Sequence, residues 1–357
     1  MKIVLSNPNT LLWDGAQAQP EGSPFPETAA GLPGMAATDA TAAVADIPEH
    51  TRPGGWWPAL LATAIGASLI TLLLIGLCRR RRKQRCGVSP ASKRARPDEI
   101  SLAVGNVHGL GKRGNQEDAF GVSDIGNAAL CKERGVLAVV ADGMGGLQRG
   151  EEVSGAATAA MLERFPTVPT AWTPAQQLLY LMYQAAGEAD ARVADSATGP
   201  CGSTMVAALL QGDRLSFVSI GDSRISLYRG GGLIHLNCAH TLAAESDRRA
   251  AEGGFPFDGP EDEPRRRALT SYIGMGVLKE VDFNTEPIRV LPGDRLLLMT
   301  DGVFGTVTDA ELAEAMRMDA QQAAESVERI ILNKNSSIQD NYTLIVLQIS
   351  ASGRKKI

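Results

Sequence analysis

A chain of 357 residues with 44% hydrophobic side chains is long enough for one large domain or two ordinary ones, plus tails. Five cysteines (Cys78, Cys86, Cys131, Cys201, Cys238) form no C-x-x-C pair and four histidines (His50, His108, His235, His240) show no H-x-x-x-H spacing, which excludes a disulfide framework and a Cys- or His-based zinc site. The net charge of −5 is unevenly spread: residues 79–96 hold nine Lys or Arg and no acid, whereas 97–357 hold 24 basic and 34 acidic residues, a balance that repels phosphate backbones and excludes nucleic acid as a partner.

Residues 1–55 are rich in Ala, Gly, Pro and Thr without sustained periodicity, and such composition predicts a disordered, non-cytoplasmic tail. From Pro58 to Leu77 run 20 residues without a charge, about the length that spans a hydrocarbon core, preceded by Trp56 and Trp57 where an interfacial aromatic belt would sit. The segment 56–78 therefore reads as a single transmembrane helix, followed by a basic juxtamembrane linker over 79–97. By the positive-inside rule the N-terminus is outside and everything after Arg79 is cytoplasmic, on a plasma (inner) membrane crossed once. The basic run also fits a contact with the anionic lipid bilayer, or a topology signal alone.

Residues 98–351 have globular texture, with a short C-terminal tail over 352–357. Stretches such as "LSFVSIGDSRISLYR" and "DRLLLMTDG" read as strands. Helices are expected near 150–165, 174–195 (capped by Thr173, with Pro174 at the first helical position) and 309–333 (capped by Asp309). Strands and helices do not alternate strictly, which argues for an α+β fold of helices layered on largely antiparallel sheet.

The chemistry lies in four acidic segments. "VLAVVADGMGG" is a buried-strand pattern that meets a carboxylate at Asp142 and then glycine; "RLLLMTDGVFG" repeats the ending at Asp301-Gly302; Asp340 stands just before the apolar "NYTLIVLQI"; and Glu117 and Asp118 lie in "RGNQEDAF". Clustered carboxylates repel one another unless cations compensate, and oxygen-only ligands suit Mg²⁺ or Mn²⁺. Arg113, four residues before Glu117, is shaped to grip phosphate oxygens. "GLGKRG" matches G-x-G-x-x-G but is followed by an acidic loop instead of a helix, so it carries no dinucleotide site.

The order "RGNQEDAF", "VVADGMGG", "CGSTMVAALL", "VSIGDSRISLYR", "LTSYIG", "LLMTDGVFG", "DNYTLIVLQI" resembles the PP2C (PPM-type) family of metal-dependent serine/threonine protein phosphatases over roughly residues 100–350, in a bacterial-looking form. The resemblance implies a four-layer α-β-β-α sandwich and two Mn²⁺ or Mg²⁺ ions per domain. It implies that Asp142 bridges them, that the Gly143 carbonyl ligates one, and that Asp301 and Asp340 ligate the other. Glu117 and Asp118 would hold metal-bound waters, Arg113 the substrate phosphate, and Asp222 the fold. The implied reaction is hydrolysis of phosphoserine and phosphothreonine on proteins by attack of a water bridging the ions, opposing a Ser/Thr kinase. A monomeric catalytic domain is expected, and His108 is a candidate for protonating the leaving oxygen. Gly199, Pro200 and Cys201 stand where many relatives carry the acid for a third ion. The segment "AAEGGFPFDGPEDEPRRR" is expected to be a loop-like flap over the substrate. The alternative in a different class is an inactive, membrane-tethered phosphoprotein-binding scaffold, which the retained acids disfavour.

Overall fold

The computed structural model describes residues 2–5, 12–13, 100–145, 149–194, 201–254 and 263–352. In chain order these form β1 (Lys2–Leu5), β2 (Leu12–Trp13), β3 (Ile100–Gly109), β4 (Asp118–Ser123), α1 (Ala128–Arg134), β5 (Val136–Met144), α2 (Arg149–Arg164) and α3 (Pro174–Ala194). There follow β6 (Gly202–Ser203), β7 (Met205–Gln211), β8 (Arg214–Ile220), β9 (Arg224–Arg229), β10 (Gly232–His235), α4 (Leu242–Ala251), α5 (Glu263–Arg266), β11 (Asp282–Phe283) and β12 (Ile288–Arg289). The last are β13 (Arg295–Met299), α6 (Asp301–Phe304), α7 (Asp309–Ala315), α8 (Ala320–Lys334) and β14 (Tyr342–Ala351).

Two sheets carry the fold. One has the order β1-β3-β14-β13-β9-β10; the other runs β11-β8-β7-β5-β4-β2, with β12 on β8 and β6 on β5. All pairings are antiparallel except β1 on β3 and β2 on β4. Period-two alternation places Val104, Val122, Val140, Leu298 and Ile345 in the layer between the sheets. The opposite faces of the same strands are also apolar and are covered by helices. Leu137 and Val139 meet Met161 and Leu178 of α2 and α3, while Leu297 and Val346 meet Leu312 and Val327 of α7 and α8. Strands buried on both faces explain the unbroken apolar runs, and the result is the expected α-β-β-α layering.

Four expectations are corrected. Within 1–55, Lys2–Leu5 and Leu12–Trp13 are edge strands paired with β3 and β4; the rest of 1–99, including the span at 56–78 and the basic linker, lies outside the described residues. Among the described residues no helix is long and apolar enough to cross a membrane. The single helix expected over 309–333 is two, because Asp319 starts a second N-terminus after the chain turns at Met316; the first is capped by Thr308, not Asp309, through a reciprocal box with Glu311. The flap segment is helical on both sides, as α4 and α5, while 255–262 lie outside the described residues. Thr173 does cap α3, accepting from Gln176 N at 3.3 Å.

Candidate active site

The apolar run of β5 ends at Ala141, but the strand does not stop at Asp142. It runs on to Met144, where Gly143 and Met144 pair with Ser203 and Gly202. Asp142 is thus held in extended backbone from both sides. Its N–H donates to Thr204 Oγ1 (3.1 Å), and its carbonyl accepts from Thr204 N (2.9 Å) and Ser203 Oγ (3.0 Å). The "G-S-T" triplet grips the backbone of Asp142. Gly143 is required by packing: a Cβ there would stand 2.3 Å from the Gly150 carbonyl oxygen and 2.4 Å from that of Glu117. Gly145 has φ +142, whereas Gly146 lies outside the described residues.

Asp301 follows β13 as the first residue of α6, and Gly302 lets it approach the next strand, since a Cβ there would come within 1.9 Å of the Asn341 carbonyl oxygen. Asn341 organises the opposite rim. Its side-chain NH₂ donates to the carbonyls of Leu110 (2.9 Å) and Asn115 (3.0 Å), and its Oδ1 accepts from Glu117 N (2.9 Å). That clamp fixes the loop bearing Arg113 and Glu117 beside Asp340, whose Oδ2 pairs with Arg113 Nη2 at 2.5 Å.

These elements converge on a cleft of about 340 Å³ lined by Arg113, Glu117, Asp142, Gly143, Asp301 and Asp340, six of the seven residues expected at the site, together with Thr204, Asp222 and Leu269. Asp118, the seventh, does not line it. It lies directly across the strand pair from Asp142 and is buried, its Oδ2 accepting from Thr343 Oγ1 (2.6 Å) and Thr300 Oγ1 (2.9 Å). Asp222, expected only to stabilise the fold, is a wall of the cleft; the signal for it was a third strand ending in Gly-Asp, at "SIGDS". His108 is not among the lining residues and hydrogen-bonds Thr343 through Nδ1 (2.9 Å), so it does not face a leaving group in the cleft.

Five carboxylates face one guanidinium there, and the raised pKa values of Glu117, Asp142, Asp222 and Asp301 show the strain. Burial, then the charges of Asp118, Asp301, Asp222 and Asp340, raise Asp142 well above the carboxylate range. Burial and Asp340 raise Asp301, partly offset by its hydrogen bond with Asp142 and by Arg113. Glu117 is raised chiefly by burial, against the pull of Arg113. Burial and Asp301 push Asp222 up to about 6, and burial pushes Asp118 to about 7 despite its two hydroxyl donors. Such a site calls for cations or protons. Two buried oxygens, Asp118 Oδ1 and Asp301 Oδ1, have no hydrogen-bond partner, which in a packed interior costs free energy unless an ion or its water is met there.

Among the described residues no three His, Cys, Asp or Glu side chains form a ready-made ligand set for one ion. The acids are instead distributed around the cleft. That suits small hard cations, which are held by one or two carboxylates and keep several waters. The residues present therefore fit Mg²⁺ or Mn²⁺, and the all-oxygen donor set does not fit zinc.

The family model described as protein phosphatase 2C matches residues 112–335. The serine/threonine phosphatase stp of Listeria innocua is 25% identical over 231 residues, 63% of this chain and 89% of that protein. The serine/threonine protein phosphatase PstP of Mycobacterium tuberculosis is 30% identical over 223 residues, 60% of this chain and 40% of that one. A crystal structure of the PstP catalytic domain with two manganese ions is similar in fold, with a TM-score of 0.55 at 26% identity over 70% of this chain and 99% of that one. The carboxylate cleft at the end of a double sheet, the motif order and the family match agree, and the chain belongs to the protein phosphatase 2C family of serine/threonine phosphatases.

Proposed function

We propose that this domain removes phosphate from phosphoserine and phosphothreonine of proteins with the aid of two divalent cations, Mn²⁺ or Mg²⁺. The observation that carries the reading is the cleft, where Glu117, Asp142, Asp222, Asp301 and Asp340 face a single guanidinium. Asp142, the Gly143 carbonyl, Asp301 and Asp340 would hold the ions, with Glu117 and Asp118 around them. Bound ions of this kind polarise phosphoryl oxygens and make water nucleophilic near neutral pH.

The chain's own residues do the rest. Arg113 stands on the rim with about half its side chain exposed (53%); one of its N–H groups is held by Asp340, and the guanidinium has further N–H donors to offer an incoming phosphate. Thr204 and Ser203 fix Asp142, and Asn341 fixes the Arg113–Glu117 loop, so that the charged groups are held before substrate arrives. Phosphate release from a phosphothreonine peptide, with Mn²⁺ titrated and EDTA as control, tests the reading. Arg113→Ala is expected to raise KM about 10- to 100-fold, the worth of a charged hydrogen-bond pair. Phosphopeptide binding without any Mn²⁺-dependent release would instead favour the scaffold.

We further infer that the domain opposes a Ser/Thr kinase at the cytoplasmic face of a membrane. The uncharged run from Pro58 to Leu77, between two tryptophans and a basic cluster, supports this. An outside N-terminus and a strand Lys2–Leu5 paired with β3 exclude each other across a bilayer. Membrane fractionation, combined with labelling of a cysteine introduced at Ser6 by an impermeant reagent on intact cells, decides between them. Labelling from outside supports the anchor, and a soluble, protected chain refutes it.

A further inference from the structure

Beneath the cleft, two threonines reach across from one sheet to a single carboxylate of the other, with a histidine behind them. Thr343 and Thr300 both direct their hydroxyls at Asp118 Oδ2, at 2.6 and 2.9 Å. One oxygen receives both donors, so each threonine spends its one proton there. Thr300 Oγ1 in turn accepts from Thr343 N at 3.0 Å. Thr343 Oγ1 has its remaining contact with His108 Nδ1, at 2.9 Å. Having no second proton to give, Thr343 must accept from the ring, so Nδ1 carries hydrogen. His108 and Thr343 sit directly opposite each other on β3 and β14, and the imidazole packs on Phe120 of β4, with ring centroids 5.1 Å apart. The ring is therefore held by both sheets at once.

We propose that His108 is a positioning residue for the cation site: as the Nδ1–H tautomer it donates to Thr343, orients that hydroxyl on Asp118 Oδ2, and so fixes the carboxylate of Asp118, whose Oδ1 has no partner, on the strand position opposite Asp142. The inference rests on the proposed reading of the cleft as a divalent-cation site. Orienting groups behind ligands govern metal affinity by about 10- to 100-fold, so the effect is measurable without turnover.

The test uses the full chain labelled with ¹⁵N-histidine and stripped with EDTA. The signal of His108 among the four histidines is assigned by its loss in His108→Asn. The expected spectrum shows neutral His108 with hydrogen on Nδ1 and a bare Nε2. In calorimetric titrations, His108→Ala and His108→Gln are expected to weaken Mn²⁺ binding about tenfold, whereas His108→Asn, whose amide N–H occupies the place of Nδ1–H, stays within about twofold of wild type. KM for phosphopeptide is expected to be unchanged, since His108 does not line the cleft. Hydrogen on Nε2, wild-type Mn²⁺ affinity in His108→Ala, or no rescue by His108→Asn relative to His108→Gln would each overturn the proposal. If His108→Ala does not fold, the tautomer and the Asn-against-Gln comparison decide. If the wild-type chain binds no Mn²⁺ at all, the reading of the cleft fails, and the strut stands or falls on the tautomer.

Discussion

The same strands build two unlike ends of one sandwich. In its middle, inward positions hold Val104 on β3, Phe120 and Val122 on β4, Val140 on β5, Leu298 on β13 and Ile345 on β14. Two or four residues further along, on the same faces, stand His108, Asp118, Asp142, Thr300 and Thr343. The β3–β14 and β4–β5 ladders continue through both, and β13 ends one residue before Thr300; what changes along these strands is side-chain polarity. The apolar middle stabilises, by about 25 cal/mol per Å² of apolar surface removed from water. The polar end holds several carboxylates whose pKa values are all raised by burial and by one another, so it opposes folding until positive charge arrives. A domain of this design keeps its stability and its chemistry a few residues apart on common strands.

The sharpest way to break that contrast is Asp142→Asn. It should reduce metal-dependent phosphatase activity by about 10³-fold, the loss of several kcal/mol of cation-borne stabilisation, when release from phosphothreonine peptide is measured. In EDTA the same variant should be more stable than wild type by about 1–2 kcal/mol in urea unfolding, because a buried, repelled carboxylate is gone. Leu298→Ala, two positions before Thr300 on the same face, should do the reverse. A loss of about 2–5 kcal/mol is expected from the cavity it leaves, with Mn²⁺ affinity of the folded protein unchanged. If both variants moved stability the same way, the division between the two ends would be wrong.

Acidity separates the ends further. Asp222 and Asp118 have folded pKa values raised to about 6 and about 7 from 3.8. Between pH 4 and 7 the unfolded chain gives up those protons first, so the unfolded state binds fewer and stability in EDTA falls as pH rises through that window. Saturating Mn²⁺ should oppose the slope, since ions bind the deprotonated carboxylates. Melting temperatures across this range, with and without Mn²⁺, measure both. The smallest effect is expected far from the site, at Glu311, whose pKa is held down at about 2 by Lys334 and by Thr308 of its capping box. That contribution is present above pH 4.5 and lost as pH falls toward 2. Glu311→Gln should cost under about 1 kcal/mol, as is usual for an exposed pair, and leave turnover alone.

Much of this was legible in the sequence, and for identifiable reasons. An apolar strand that meets an acid before glycine is a local pattern, as is an acid just before an apolar strand, so Asp142 and Asp301 by the first and Asp340 by the second stood out from their neighbours alone, and Arg113 and Glu117 followed from the loop they share. The layering followed from apolar runs too long for one-sided burial. The residues that hold the site did not stand out, because their partners are remote: Thr300 and Thr343 reach Asp118 across about two hundred residues, and Asn341 clamps a loop as distant. A lone Thr or Asn beside an acid reads as a turn residue until the pairing is known. The division of the helix expected over 309–333 was hidden because Met316 and Met318 continue its apolar texture through the break. The pairing of Lys2–Leu5 with β3 was equally out of reach, four residues being too few to show a period.

The central claim is that the acidic end of the sandwich is a divalent-cation site, and titration of Mn²⁺ into the EDTA-stripped full chain, wild type beside Asp142→Asn, tests it most directly. The account predicts saturable heat and a rise in melting temperature for wild type, both lost in the variant. Equal binding by the two proteins, or none by wild type, would contradict it.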